Sequence, residues 1–124
     1  PLMTDDKFHN NGLDAATTSA DFMDKGKMDA TNNMDDAGKF KTGALRNLGY
    51  SKPFMHDGRL ADLDAVLNHY NSGLQNSYNI DPDMKKSNQG GMQLTPDKLD
   101  RLKAYLLAFD DPDFIADTSF SSPF

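Results

Sequence analysis

The chain contains no cysteine, and this absence excludes disulfide bonds and thiolate metal sites. It is also short of apolar residues, with a hydrophobic share of 37% and a mean hydropathy of −0.69. No apolar run approaches the roughly 20 residues of a membrane span. The net charge of −6 argues against nucleic acid as a partner, because nucleic-acid binding requires a basic face. So small an apolar share predicts long loops, or a partner surface that lies outside this chain.

The length of 124 residues suits one domain with a single modest core. Residues 1–37 show little periodicity and are rich in Asp, Thr, Asn, Gly and Met, so we expect a loop-rich lead-in with occasional apolar anchors. Residues 38–110 carry the helical patterns. Residues 111–124 scatter large apolar side chains among polar ones, as a tail that wraps over a larger body would.

The best-defined helix is expected from about Leu60 to Asn71. Asp62 is the candidate N-cap, and apolar side chains follow at the i, i+3, i+4 and i+7 spacing of one helical face. These side chains are Leu63, Val66, Leu67 and Tyr70. Gly73 is well placed to end the helix. A tyrosine on a buried stripe places its phenol oxygen inside a cavity or at its lip.

Two further helices are predicted, one short and one long. Residues 42–48 could form the short helix, closed by Gly49. The long helix begins with Thr95 as N-cap and Pro96 at the first helical position, and the pair Asp111–Pro112 ends it. No alternation typical of a strand persists for more than a few residues. The predicted fold class is therefore all-α with long irregular loops.

Several motifs occur in one order along the chain. They are Phe-His-Asn-Asn-Gly-Leu at residues 8–13, Gly-Lys-Phe-Lys-Thr at 38–42, Leu-Arg-Asn at 45–47, Pro-Phe-Met-His-Asp-Gly-Arg at 53–59 and Leu-Thr at 94–95. Together they resemble the C-terminal domain of bacterial dihaem cytochrome c peroxidases and of the related MauG-type enzymes. The likeness runs over nearly the whole chain and implies a partial cytochrome c-like helical domain.

In the family that the chain resembles, each of two domains carries a c-type haem on a Cys-x-x-Cys-His motif. The resemblance places the motif of this domain just upstream of the position that matches Pro1. We therefore expect a truncated chain whose parent holds haem c and an N-terminal haem domain. The two anchoring cysteines and the proximal histidine would belong to the missing part.

Tyr70 matches the position of the second axial ligand of the C-terminal haem. That ligand is methionine in one branch of the family and tyrosine in the MauG-type branch. Phenolate is a hard, anionic donor that favours ferric and higher iron states. The residues alone also allow a core tyrosine that completes the apolar stripe, whereas the resemblance favours the ligand.

Three other side chains are implied at the haem edge. His56 would form a hydrogen bond, for example to a propionate, or would stabilise its own turn through Asp57 and Gly58. Arg46 and Lys41 could neutralise haem propionates, or they could be ordinary surface charges.

The remaining candidates lie close to these positions. Met55 is expected in the core, because the family does not use it as a ligand. His69 points about 100° away from Tyr70 around a regular helix, so we expect it to face solvent or the partner domain. The role of His9 is left open.

The family also binds calcium between its domains, partly through backbone carbonyl oxygens. The matching positions here are Ser51 and Pro53, and carbonyl oxygen is a suitable ligand for this hard cation. The other ligands would come from the N-terminal haem domain, so calcium is a secondary expectation.

Two functions follow from these considerations. The first is a fragment of a periplasmic dihaem c-type peroxidase, with hydrogen peroxide as substrate, a small redox protein as electron donor and a homodimer as one candidate assembly. Without its haem anchor, the fragment alone is expected to be inactive. The second is a haem-free helical interaction module derived from a cytochrome c-like domain. A hydrolase is set aside, because neither Gly-x-Ser-x-Gly nor His-Glu-x-x-His occurs.

Overall fold

The structure, a computed structural model, describes residues 3–121. Strands β1 (Phe8–His9) and β2 (Phe40–Lys41) pair antiparallel, with Phe8 opposite Lys41 and His9 opposite Phe40. The helices within these residues are α1 (Met28–Thr31), α2 (Leu63–Asn68), α3 (Pro96–Leu107) and α4 (Pro112–Ala116). Single 3₁₀ turns occupy Ser19–Asp21, Met34–Asp36, Ser87–Gln89 and Thr118–Phe120.

The two-stranded sheet makes the all-α prediction wrong. Isolated bridges also pair Ala16 with Ser77 and Phe54 with Leu60. Strands of two residues are too short to display a period of two, so no alternation of side chains could indicate them in the sequence. The fold is a mixture of short helices, one small sheet and long irregular segments.

Helix α2 starts where its sequence signals predict. The side chain of Asp62 accepts a hydrogen bond from the amide of Ala65 at 2.8 Å, which confirms the N-cap. Leu63 and Leu67 are buried on one face. The helix then continues as one π-helical turn, His69–Gly73, which ends at the predicted glycine.

Helix α3 also begins at the predicted position, with Pro96 first after the N-cap residue Thr95, but the side chain of Thr95 makes no capping hydrogen bond. It is tied to α2 by Lys103, whose ammonium lies 2.7 Å from both carboxylate oxygens of Asp64. Near its C-terminal end, Asp110 accepts a hydrogen bond from the amide of Gly49 at 3.2 Å. These contacts fix the position of α3 against α2 and the turn at 47–50.

The short helix predicted at residues 42–48 is wrong, because these residues form bends and the start of a turn. Asn47 has a φ of +56°, a left-handed conformation that a continuing right-handed helix does not allow. Its side-chain oxygen accepts a hydrogen bond from the amide of Asp111 at 2.6 Å. The segment is therefore shaped by a contact with the start of α4.

The tightest packing lies in what we call the loop unit, residues 10–39 and 75–81. Ala37 is fully buried, Phe22 is 5% exposed, and Ala16 and Met28 pack with them. The strip 75–81 is hydrogen-bonded along the lead-in, for example from the amide of Tyr78 to the carbonyl of Ala16 at 2.9 Å. The lead-in thus carries a core of its own, which its polar composition did not indicate.

Two details hold the loop unit in shape. Gly38 has a φ of +67°, and a Cβ there would lie 2.4 Å from the ring of Phe22. The carboxylate of Asp36 accepts hydrogen bonds from the ammonium of Lys27 at 3.0 Å and from the hydroxyl of Thr31 at 3.0 Å. The hydrogen bond from Lys27 is the largest cause of the lowered pKa of the Asp36 carboxyl.

The tail expected at residues 111–124 includes α4 and the 3₁₀ turn at Thr118–Phe120. The rings of Phe114 and Phe120 lie 4.9 Å apart, and both are largely exposed. Residues 122–124, including Phe124, fall outside the described part of the chain. Among the described residues, no helix has both the length and the apolar character to cross a membrane.

Candidate functional site

A cavity of about 790 Å³ lies between the β-sheet, the turn at 53–56, α2 and α3. This volume falls within the range of ligand-binding pockets. Most of its wall is apolar. Its helical sides are made by Leu63, Val66 and Leu67 from α2 and by Leu99, Leu102 and Leu106 from α3.

Tyr70 lines this cavity, and its hydroxyl group is 3.3 Å from the side-chain nitrogen of Asn11, which donates a hydrogen bond to it. The same nitrogen is 3.2 Å from the sulfur of Met55. Met55 is half-buried and also lines the cavity. A phenol oxygen and a thioether sulfur therefore meet at one amide group on an otherwise apolar wall.

The π-helical turn His69–Gly73 changes the direction of His69. His69 is 8% exposed, its Nε2 donates to the carbonyl of Asn11 at 3.0 Å, and its ring lies edge-on to that of Tyr70 at 5.0 Å. The prediction that His69 faces solvent or a partner domain is therefore wrong. That prediction assumed regular helical spacing, and a wide turn with a distant carbonyl acceptor left no local sign in the sequence.

The wide turn is held from outside by residues 91–93. The amide of Met92 donates to the carbonyl of Tyr70 at 3.0 Å, and the amide of Gln93 donates to the carbonyl of Asn71 at 3.0 Å. Gly91 permits this approach, since a Cβ there would lie 2.4 Å from the carbonyl oxygen of Tyr70. The backbone beside Tyr70 is thus paired although the regular helix has ended.

His56 and Lys41 lie on the cavity wall. The ring of His56 stacks on Phe40 with centroids 3.6 Å apart, and its Nε2 is 3.9 Å from Asp24. The ammonium of Lys41 is 3.1 Å from Asp6. Arg46 belongs to the adjacent exposed turn and is not part of the described lining.

His9 is held between two carboxylates at the edge of the cavity. Its Nδ1 is 2.5 Å from Asp81 and its Nε2 is 2.8 Å from Asp5. The hydrogen bond with Asp81 is the largest cause of the raised pKa of His9. Burial tends to raise the pKa of Asp81, but the hydrogen bonds from His9 and the amide of Asp83 lower it overall. The three groups form a clamp between the loop unit and the cavity, which we call the His9 clamp.

No family model matches the chain. The cytochrome-c peroxidase IdrP1 of Denitromonas iodatirespirans is 50% identical over 50 residues, which cover 40% of this chain and 13% of that protein. The methylamine utilization protein MauG of Methylorubrum extorquens is 38% identical over 82 residues, which cover 66% of this chain and 22% of that protein. A crystal structure of a MauG-like protein associated with microbial copper homeostasis matches with a TM-score of 0.69 and 31% identity, over 99% of this chain and 39% of that one.

The chain is related to the cytochrome-c peroxidases and MauG proteins. This finding confirms the resemblance seen in the motifs. The chain spans about a fifth or less of the length of IdrP1 and MauG, and about two fifths of the MauG-like structure.

The cavity of this MauG relative fits a haem group in the chemistry of its wall. The faces supplied by α2 and α3 are apolar, which suits a flat macrocycle. Tyr70 offers one hard oxygen donor. Lys41 supplies one ammonium at the edge, where an anionic propionate would be neutralised, whereas the His9 clamp holds two carboxylates for one imidazole and adds no net positive charge.

The two carbonyl positions predicted for calcium, Ser51 and Pro53, are exposed at the cavity edge. The hydroxyl of Ser51 donates a hydrogen bond to the carbonyl of Asn47 at 2.7 Å. The backbone carbonyl of Ser51, the group predicted to bind calcium, takes no part in this contact. Within residues 3–121, no group of three or more His, Cys, Asp or Glu is arranged to hold a metal ion. Acidic side chains of residues 3–121 therefore do not by themselves form a calcium site at this edge.

Proposed function

We propose that this chain forms one wall of a haem c pocket in a MauG-type peroxidase, and that Tyr70 offers its phenol oxygen to the iron. The observation that carries the proposal is the position of Tyr70: its oxygen lies on an apolar cavity wall and accepts a hydrogen bond from Asn11 at 3.3 Å. The name of the related cytochrome-c peroxidase IdrP1 supports peroxidase chemistry. Bound haem would supply the redox chemistry of such a protein.

The residues of the chain have distinct tasks in this proposal. Tyr70 is a hard donor that favours ferric iron, and the amide of Asn11 can donate to its oxygen in the anionic state. The leucine faces of α2 and α3 exclude water from the cavity. Lys41 and His56, with Arg46 nearby, serve the propionate edge.

The whole protein would extend beyond this chain. We propose a periplasmic oxidoreductase that also contains an N-terminal haem domain, takes electrons from a small redox protein and reduces hydrogen peroxide. Calcium would bind between the two domains, with the carbonyls of Ser51 and Pro53 among its ligands. A homodimer is the proposed assembly. The fragment without its haem anchor would have no peroxidase activity.

The second candidate is a haem-free interaction module, and one observation favours it. Tyr105 on α3 is 61% exposed, and the large apolar side chains of α4 and the following turn are also exposed. These side chains are Phe114, Ile115 and Phe120. Haem content of the purified full-length protein separates the two functions, because an interaction module would contain none.

Tyr70→Phe in the haem-loaded protein tests the main proposal. Removal of the phenol oxygen should abolish an iron–phenolate charge-transfer band and change the ferric visible spectrum. Tyr105→Phe, which alters an exposed tyrosine in the same way, should leave that spectrum unchanged. An unaltered ferric spectrum in Tyr70→Phe would reject Tyr70 as an iron ligand.

A further inference from the structure

One asparagine contacts three residues of the cavity wall. The side-chain nitrogen of Asn11 is 3.3 Å from the oxygen of Tyr70 and 3.2 Å from the sulfur of Met55. The backbone carbonyl of Asn11 accepts a hydrogen bond from Nε2 of His69 at 3.0 Å. We propose that Asn11 is the positioning residue for Tyr70, and that it sets the donor strength of the phenol oxygen by sharing one amide group with Met55. The inference rests on the proposed function, in which Tyr70 binds iron.

The chemistry of the partners determines which end of the Asn11 amide faces them. A thioether sulfur is a weak acceptor and cannot donate, so the NH₂ group must be the end that faces Met55. The same NH₂ group then donates to Tyr70, whose oxygen must accept. The hydroxyl proton of Tyr70 is left to point elsewhere. Its oxygen therefore keeps a hydrogen-bond donor whether or not it carries that proton.

The backbone of residues 10–12 is fixed before any ligand arrives. Asn10 is 2% exposed, donates to Asn79 at 2.9 Å and accepts from the amide of Gly12 at 3.0 Å. His69, the neighbour of Tyr70, holds the carbonyl of Asn11 from the other side. Asn11 is thus anchored through its backbone while its side chain remains directed to Tyr70.

Met55 competes with Tyr70 for the same amide. It has a φ of +72°, so its backbone is held in the left-handed region within the 53–58 turn, which fixes the start of its side chain. Because a shared NH₂ group donates more weakly to each acceptor, removal of the sulfur should strengthen the hydrogen bond to Tyr70. Removal of the amide should abolish it. The two changes therefore predict shifts of opposite sign, which a purely structural role for Asn11 would not produce.

The first measurement uses the tyrosine Fermi doublet in the Raman spectrum of the haem-free protein. This doublet reports whether a phenol oxygen accepts or donates a hydrogen bond, and subtraction of the Tyr70→Phe spectrum isolates Tyr70 from the other tyrosines, three of which lie in this chain. Asn11→Leu removes the amide but keeps the carbonyl that holds His69. We expect it to remove the accepted hydrogen bond from the Tyr70 signature, and Met55→Leu to shift that signature the opposite way.

The second measurement uses imidazole as a competitor for the iron in the haem-loaded protein. Loss of an outer-shell partner that orients a metal ligand typically costs 10–100-fold in metal affinity or activity. Asn11→Leu should therefore bind imidazole about 10–100-fold more tightly than the unmodified protein. Asn68→Leu, a matched change of an exposed asparagine on α2, should leave both measurements unchanged.

The outcomes separate the two proposals. A folded Asn11→Leu protein with an unchanged Tyr70 doublet would overturn the role of Asn11, whatever Tyr70 does to the iron. An unaltered ferric spectrum in Tyr70→Phe would instead reject the iron ligand, while the doublet would still report on Asn11. If Asn11→Leu does not fold, Met55→Leu decides, since an unshifted doublet there contradicts the sharing of the amide.

Discussion

The loop unit has little regular secondary structure but buries its core side chains deeply, whereas the longest helix of the cavity wall buries none of its residues. Regular helices usually pack more closely than loops do. The loop unit contains one four-residue helix and short turns, yet Ala37 is fully buried and Phe22 is 5% exposed. Helix α3 is the longest helix described, and none of its residues, Pro96–Leu107, is buried. Leu102 on its cavity side is still 37% exposed.

The difference follows from what each region has to pack against. The loop unit is closed by its own strip 75–81, so both surfaces of its core come from this chain. The leucines of α3 face a space of about 790 Å³. An apolar helical face that stays open within its own chain indicates an occupant, whereas loops with many internal hydrogen bonds can be complete by themselves.

The largest expected effect is the loss of stability when a large side chain in the core of the loop unit is replaced by alanine. Phe22→Ala should lower the free energy of unfolding by about 3–5 kcal/mol, because it leaves a void in a closed core. Its neighbour Met23 is fully exposed, so Met23→Ala should stay within about 0.5 kcal/mol. Chemical denaturation measures both.

A third variant would break the comparison. Leu67 is 7% exposed but borders the cavity, so Leu67→Ala removes contacts beside space that is already open. We expect a loss near the lower limit of the usual range, about 2 kcal/mol. A loss larger than that of Phe22→Ala would mean that the cavity wall, and not the loop unit, is the stable centre of the chain.

A smaller effect comes from two glycines. Gly38→Ala should destabilise the protein by about 1–3 kcal/mol or more, because φ is +67° and the new Cβ would meet Phe22 at 2.4 Å. Gly43, on the cavity edge, has nothing within 4 Å of a built Cβ. Gly43→Ala should stabilise by about 0.4–1 kcal/mol through the unfolded chain. Thermal unfolding measures the stability of both variants. Equal losses of stability in Gly38→Ala and Gly43→Ala would contradict the expected difference between the two glycines.

The smallest effect is the pH dependence of the His9 clamp, which joins the two regions. The pKa of His9 is raised, so its contribution to stability is complete below the ordinary value of 6.5 and is lost as the pH rises through the folded value. The pKa values of Asp5 and Asp81 are lowered, so their contributions are complete above 3.8 and are lost as the pH falls through the folded values. The contribution of the clamp to the free energy of unfolding should therefore be largest between pH 3.8 and 6.5.

NMR titration of the His9 ring checks this expectation. In the unmodified protein the ring should titrate above 6.5, and Asp81→Asn should bring its pKa down. Lys7 and Lys39 help to lower the pKa values of Asp5 and Asp81, respectively. A ring that titrates below 6.5 in the unmodified protein would show that the clamp is open in solution.

The parts that the sequence predicts well are those with local signals. Asp62 as N-cap, Pro96 at the start of α3 and the apolar face that ends at Tyr70 all follow from spacings of a few residues. Several sequence motifs also identified the relatives correctly.

The parts that could not be predicted depend on partners that are distant in the sequence. His69 is turned inward by the carbonyl of Asn11, which lies 58 positions away. The His9 clamp requires Asp81, 72 positions away. The core around Phe22 requires the strip 75–81 to lie across it. A polar, aperiodic lead-in gives no sign of such contacts, since the energy comes from backbone hydrogen bonds and from a few well-placed apolar groups.

The support of the π-helical turn by residues 91–93 has a consequence for how this protein can diverge. The loop between Asp81 and Gly90 makes its turns within itself, so added residues near Lys85 would simply lengthen it. An extra residue beside Gly91 would instead shift Met92 and Gln93 out of register with the carbonyls of Tyr70 and Asn71. Natural variants should therefore vary in length in the first half of this loop and keep a fixed length from Gly91 to α3.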